Sequence, residues 1–264
     1  MDRPAILAAF DEQVRRNPAA PAGCGVERAG AVVRLVCEGT AWSGITWSSL
    51  EESTADAAIA AQIERFAGVA EPWEWKYYSY DRPPDLPERL VAAGFRREAP
   101  ETLMIGEIAS LSRVPELPND VELRVVGDEH DIEAMVSVHD EAFGQDSGDL
   151  REMLGASLVD AGTMVAVLAW AGGTPVAGGR IEVLPGSDFC GLWGGGTVPA
   201  WRRRGIFRAL VAYRVALAAA HGCRYVQVDA MPPSRPILAG LGFEELATTT
   251  PFMYPGRVAA PRPV

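Results

Sequence analysis

The chain has 264 residues, 48% apolar and 22% charged, a soluble globular composition with room for one large or two modest domains. Its net charge of −11 and acidic pI argue against general nucleic-acid binding and against an anionic membrane surface, which both call for a basic face. Cys24, Cys37, Cys190 and Cys223 are far apart, without CxxC or nearby histidine ligands, so buried free thiols are expected and neither a disulfide framework nor a metal site. With no basic-then-apolar leader and no apolar run approaching about 18 residues, a cytoplasmic location is expected.

In chain order, residues 4–16 read as a short amphipathic helix with Pro4 in its first turn. Strands follow at 31–37 and 44–47. A helix over 53–66 starts at Ser53 or Thr54 as N-cap, and an aromatic strand occupies 73–80. The turn Asp81-Arg82-Pro83-Pro84-Asp85 leads into a helix over 86–93 closed by Gly94, then a strand over 102–108. After a proline-bearing linker come a strand at 122–126 and helices at 131–143 and 150–159. Strands at 164–171 and 176–184 flank the turn Gly172-Gly173-Thr174, a hairpin signal. A strand at 189–198, a helix at 205–220, a strand at 225–229, a short helix at 234–241 and a strand at 249–254 complete the chain. The expected class is α/β, a mixed sheet flanked by helices.

The stretch from Leu192 to Leu210 carries the chemistry. An apolar strand interrupted by Gly194-Gly195-Gly196 ends at Val198-Pro199. The basic turn Trp201-Arg202-Arg203-Arg204-Gly205 opens a long proline-free helix. The first N–H groups of a helix lack internal partners and its dipole favours an anion, so Arg202 to Phe207 reads as a phosphate seat.

The pattern Val198-Pro199-x-x-Arg202-x-x-Gly205-Ile206 resembles the acyl-coenzyme A loop of the GCN5-related N-acetyltransferases (GNATs). Arg203 stands where a glycine is common, and Phe207 replaces a final Gly or Ala. The short helix ending in Leu241-Gly242-Phe243 is similar to the family's closing motif, so the resemblance covers roughly 120–255. It implies the GNAT fold and acetyl transfer from acetyl-CoA to an amine of a small molecule or peptide by direct attack. Thr197, Val198, Arg202, Arg203, Arg204, Gly205, Ile206, Phe207, Arg208 and Ser234 would meet the cofactor. The glycine run fits a strand bulge that exposes the Val198 N–H to the thioester oxygen.

The resemblance also implies a tyrosine as acid four residues before the closing glycine, but that position is Leu238, and Met231 replaces an asparagine common upstream. Ser234 could cap its helix or meet the pantetheine arm, and water could protonate the thiolate. Glu182 and Asp229 are the chosen base candidates, with Glu141 and His139 also in view. Trp193, Trp170 and the pair Trp73/Trp75 could line an acceptor pocket or simply fill the core. The alternative to an enzyme is a catalytically silent acyl-CoA-binding sensor or partner module. Partners expected are acetyl-CoA and an amine acceptor, with a homodimer open.

The first half reads as a worn copy of the second. Asp81 and Asp229 stand 148 apart, as do Gly94-Phe95 and Gly242-Phe243, Leu90 and Leu238, and Pro84 and Pro232. This sets the halves at 1–112 and 120–264 with a linker at 113–119. The first half is expected to begin only at the fold's third strand. Its loop equivalent, 50–56, has Glu51 and Glu52 and no arginine, so it should not seat a pyrophosphate.

Overall fold

The computed structural model describes residues 2–21, 23–38, 42–69, 71–144, 147–159 and 163–256. The chain divides into two compact units, Leu103–Glu245 and Asp2–Thr102 joined by the segment from Leu246 onward. This division differs from the halves read in the sequence: 103–112 goes to the C-terminal unit and the segment from 246 to the N-terminal one.

The N-terminal unit opens with α1 (Arg3–Phe10), capped by the Asp2 carboxylate accepting from the Ala5 N–H. A π-helical turn (Asp11–Arg15) continues it. β1 (Cys24–Ala29) and β2 (Val32–Cys37) form an antiparallel hairpin around Gly30. β3 (Gly44–Ser48), α2 (Ala55–Phe66), β4 (Trp73–Tyr78), α3 (Leu86–Ala92) and the two-residue β5 (Arg96–Arg97) follow. Along this unit's sheet the order is β1-β2-β3-β4, then the chain's last strand, with β5 against that last strand. Ile59, Phe66, Leu86, Leu90, Trp73, Trp75 and Phe252 form its core, and Trp73 stacks on Phe66 at 4.2 Å. Trp73 and Trp75 are therefore packing residues.

Two expectations need correcting here. Cys24 and Cys37 are not free thiols. They face each other across the β1–β2 hairpin with Cα atoms 4.0 Å apart and are joined as a disulfide. Only hairpin register makes them neighbours, and β1 itself was missed, because its alternating half-exposed residues lack an apolar stripe. With α1 and β1 present, the N-terminal half also begins earlier than the third strand of the fold. Cys190 and Cys223 are free and buried, as expected.

The C-terminal unit holds most of β6 (Glu101–Glu107), then β7 (Val121–Val125), α4 (Glu129–Phe143), α5 (Gly148–Val159), β8 (Met164–Ala171), β9 (Thr174–Val183), β10 (Phe189–Thr197), α6 (Ile206–Ala220), β11 (Tyr225–Ala230) and α7 (Arg235–Gly240). β12 (Glu244–Tyr254) starts in this unit and runs mostly in the other. The sheet order is β6-β11-β10-β9-β8-β7. Asp128 caps α4 and Gly144, at φ 70°, ends it in the left-handed region. The core joins Ile132 and Met135 of α4 to the apolar run Ala166–Ala171 of β8 and to Ile206 and Leu210 of α6. Trp170 belongs to this core. No described helix is long and apolar enough to cross a membrane.

Both units show the same succession of pairings. β1–β2 and β2–β3 are antiparallel and β3–β4 parallel. Likewise β8–β9 and β9–β10 are antiparallel and β10–β11 parallel. The closing turns match bond for bond at a spacing of 148. Phe95 N–H donates to Leu90 O and Phe243 N–H to Leu238 O, and Gly94 and Gly242 both have φ 101°. Upstream, that spacing fails. The N-caps Thr54 and Gly205 stand 151 apart, and Asp229 lies inside β11 while Asp81 follows the end of β4. A three-residue difference therefore lies between helix and closing turn.

Candidate functional site

The parallel pairing of β10 with β11 runs from Phe189/Tyr225 to Gly191/Gln227 and stops, although β10 continues to Thr197 and β11 to Ala230. Beyond that point the strands part. On the other edge, β10 stays paired with β9 but shifts register between Trp193 and Gly196, with Gly194 at φ 57°. This is the bulge expected from the glycine run.

Each of the three glycines also makes room for a different neighbour. A methyl group on Gly194 would stand 3.1 Å from Nη1 of Arg180 and 3.4 Å from Nε2 of His139. On Gly195 it would meet Nη2 of Arg214 at 3.1 Å and the Phe207 ring at 3.2 Å. On Gly196 it would strike Ala142 at 2.8 Å and Phe143 at 3.0 Å. Glycine lets α4 and α6 both approach the strand at its bend.

After the strand, a short 3-10 turn (Pro199–Trp201) leads to Arg203 at φ 63° and Gly205 at φ 85°. These left-handed residues turn the chain into α6, whose first internal acceptor is the Gly205 carbonyl, taken by Ala209 N–H. The N–H groups of Ile206, Phe207 and Arg208 precede that bond, so the helix itself offers them no partner. Arg203, Arg204, Gly205 and Arg208 are exposed and Ile206 is buried.

Arg202 does a different job from the one its motif suggests. Its Nε donates to Thr197 O at 3.0 Å and its Nη2 to Ala142 O at 2.8 Å, so it ties the loop to β10 and to the end of α4. Its own N–H donates to Pro199 O. Arg204 lies over the Trp201 ring.

The Val198 N–H is already spent, donating to Val176 O at 3.0 Å, which corrects its expected role as oxyanion donor. The same bond fixes the alternation along this antiparallel edge. Residue 198 points at β9, so Thr197, opposite Ala177, turns its N–H and C=O away from β9. The Arg202 bond to Thr197 O agrees. The Thr197 Oγ1 is buried without a hydrogen-bond partner among the described residues, a costly state unless something meets it.

Of the base candidates, Glu182 is held by Arg180, Nε to Oε1 at 2.7 Å. Asp229 is half-buried on β11 and Glu141 is exposed on α4. His139 is half-buried, its Nδ1 is 2.6 Å from Ser147 Oγ and its ring lies 4.4 Å from that of Phe143. Burial first, and Arg180 second, hold its imidazole below the ordinary histidine value, against a smaller opposite pull from Asp140. Ser234 neither caps α7 nor stands free, since its hydroxyl donates to Met231 O at 3.0 Å.

One residue had no sequence signal at all. Arg214 of α6 is fully buried and has carbonyls as its hydrogen-bond acceptors: Leu210 O, Arg180 O at 3.2 Å and Trp193 O at 3.4 Å. Burial, with Arg180 adding repulsion, pushes its pKa down to about 9. It remains a cation at neutral pH and pins the carbonyls of the paired residues Trp193 and Arg180, where the bulge begins.

The sequence of residues 132–243, from α4 to the closing Gly-Phe, matches the acetyltransferase (GNAT) family. The chain carries a GNAT acyltransferase domain. Solved structures agree on the fold. A GCN5-related N-acetyltransferase from Kribbella flavida is 21% identical over 97% of this chain and 96% of its own, with a TM-score of 0.68. One from Sphaerobacter thermophilus is 16% identical over 98% and 94%, with a TM-score of 0.61. A tandem GNAT protein from the clavulanic acid biosynthesis pathway is 12% identical over 91% and 86%, with a TM-score of 0.56. No curated protein sequence matches this chain. In the GNAT domain, the matched segment contains the bulge, the Arg202–Gly205 turn and all of α6.

Proposed function

We propose that the GNAT domain of this chain transfers an acetyl group from acetyl-CoA to an amine of a small molecule or peptide by direct attack. The observation that carries this reading is the opening between β10 and β11, which begins where the bulge bends β10 away. The residues around it fit an acyl-CoA. The buried Thr197 Oγ1 lacks a partner among the described residues, and the start of α6 presents N–H groups among Arg203, Arg204 and Arg208. When bound, acetyl-CoA supplies the activated acetyl thioester.

The chain's own work is then positional and electrostatic. The Thr197 N–H, turned away from β9, replaces Val198 as the donor for the oxygen on which charge develops. Arg214 and Arg202 hold the strand carbonyls so that this donor is set before the ligand arrives. In place of the missing tyrosine, water protonates the thiolate, an easy task for a group of pKa near 8.5.

We further read the chain as a tandem GNAT in which only the C-terminal unit works. The shared pairing order and closing turns support the repeat. Residues 1–112 would be the worn copy and 120–264 the active one, exchanging one strand each near residues 103 and 246. We place the protein in the cytoplasm, where acetyl-CoA is abundant. The Cys24–Cys37 bond would there face a reducing pool. Steady-state release of free thiol from acetyl-CoA, assayed with glucosamine, spermidine, an amino-acid amide and a lysine peptide, tests the activity. Amine-dependent release supports transfer. Tight coenzyme A binding without release from any amine would instead mark a silent acyl-CoA module.

A further inference from the structure

We propose that His139 of α4 is the general base of this site, taking the proton from the acceptor's ammonium at the β10 bulge. The inference rests on the acetyl-transfer reading and deepens it by assigning a residue that the family match leaves open.

Position comes first. Nε2 of His139 faces Gly194, the left-handed residue of the bulge, and the absence of a side chain there leaves the nitrogen uncovered from that direction. Nδ1 is anchored on Ser147 Oγ at 2.6 Å. With the Nδ1 proton donated to that hydroxyl, the Nε2 lone pair points at the bulge. The Phe143 ring, one turn along the same helix, limits how the imidazole can swing.

The charges around it favour the neutral ring. Arg180 from β9 approaches the same point above Gly194, and Arg214 from α6 lies behind Gly195, both positive. Asp140 on α4 opposes them, while Glu182 on β9 is occupied by Arg180. The net result is an imidazole that stays unprotonated at neutral pH and can accept. Glu182, already committed to an ion pair, is a poorer acceptor in this setting, and its pairing keeps Arg180 in place.

The step balances as follows. Nε2 removes one proton from the ammonium, freeing the nitrogen lone pair to form the new C–N bond. The C–S bond breaks, water protonates the departing sulfur and takes up the second nitrogen proton in exchange, and free thiol leaves. His139 then returns its proton to solvent.

The test uses the full chain with the amine turned over fastest in the panel above. His139→Gln should lower kcat by about 100-fold or more while leaving the KM for acetyl-CoA within about twofold. The wild-type kcat/KM profile should fall as pH drops through the imidazole's depressed pKa, below the ordinary histidine range. That acid limb should vanish in His139→Gln, and free imidazole should restore rate to His139→Ala. Ser147→Ala should give a smaller loss and move the limb without removing it. Unchanged kcat and an intact acid limb in a folded His139→Gln chain would overturn the assignment alone. A wild-type chain that turns over no amine would overturn the acetyl-transfer reading and this role together.

Discussion

Each unit buries an arginine near its diverging parallel strands, and the two are used differently: Arg15 spans β3 and β4, whereas Arg214 bonds β9 and β10. In the N-terminal unit, β3 and β4 pair only at Gly44/Glu74 and Ile45/Trp75. Beyond that, Arg15 bridges them. Its Nε donates to Thr46 O at 3.1 Å, its guanidinium lies 4.0 Å over the Tyr78 ring, and its Nη2 grips both oxygens of Asp81 at 2.7 and 2.8 Å. Leu50 N–H also donates across to Arg82 O. In the C-terminal unit, Arg214 bonds carbonyls of β9 and β10 from the helix side and, among the described residues, has no hydrogen bond to β11. The same succession of pairings thus places a buried arginine across the diverging strands in one unit and to one side of them in the other. A cavity of about 320 Å³ lined by Trp47, Ser49, Tyr80 and Arg82 lies beside the Arg15 bridge.

The loops differ in the same sense. Arg203 and Gly205 at positive φ lead into α6, whereas Thr54 enters α2 from a right-handed conformation with no side-chain cap bond, behind exposed Glu51 and Glu52. Arginines surround the first loop and glutamates the second, so an anion is expected at the first alone. On the proposed repeat reading the scaffold is kept without the site, because core packing and the closing Gly-Phe turn do not depend on the loop.

Breaking each unit at its own weak point sharpens this contrast. The largest effect is expected from cutting the chain at residue 112. A fragment 1–112 loses the strand Thr249–Tyr254 that pairs with β4, and with it Phe252 and Tyr254 from the core around Trp73. It should fail to fold, and adding residues 246–256 through a flexible linker should restore dispersed amide spectra. A well-folded 1–112 fragment would contradict the division at 102/103 and 245/246.

Next in size is Arg15→Met. It leaves Asp81, whose carboxyl burial already pushes up to about 6 despite Arg15, without its partner. Denaturant unfolding should show a loss of roughly 3–5 kcal/mol, with much of it recovered in Arg15→Met/Asp81→Leu. A loss below about 1 kcal/mol would mean the bridge does not hold the two strands together.

A smaller effect, confined to ligand binding, is expected for Gly205→Asp. A side chain at φ 85° costs about 1–2 kcal/mol of backbone strain, and the carboxylate repels a pyrophosphate. Coenzyme A affinity should fall by roughly 10- to 100-fold by calorimetry. No change would remove the Arg202–Phe207 turn from the site.

Much of the scaffold was legible in the sequence because its signals are local. The glycine run, the basic turn, the hairpin at Gly172-Gly173 and the Gly-Phe turns depend on neighbours in the chain. What escaped depends on tertiary register. Cys24 and Cys37 meet only because β1 pairs with β2, and Val198 loses its free N–H only because it falls opposite Val176. Arg214 looks like any helix arginine until the bulge brings carbonyls to it. The uniform spacing of 148 failed upstream of Pro83 because three residues of length difference are absorbed before the closing turn. His139 is one base candidate among several in the sequence, and only its place beside Gly194 separates it from Glu182 and Asp229.

The central claim is one open site per chain, in the C-terminal unit. The most direct test is the stoichiometry of coenzyme A binding to the full chain, by titration calorimetry with a protein concentration fixed by amino-acid analysis. One molecule per chain, lost or weakened in Gly205→Asp and retained in Glu51→Lys/Glu52→Lys, is the predicted result. Two per chain, or one that survives Gly205→Asp unchanged, would contradict it.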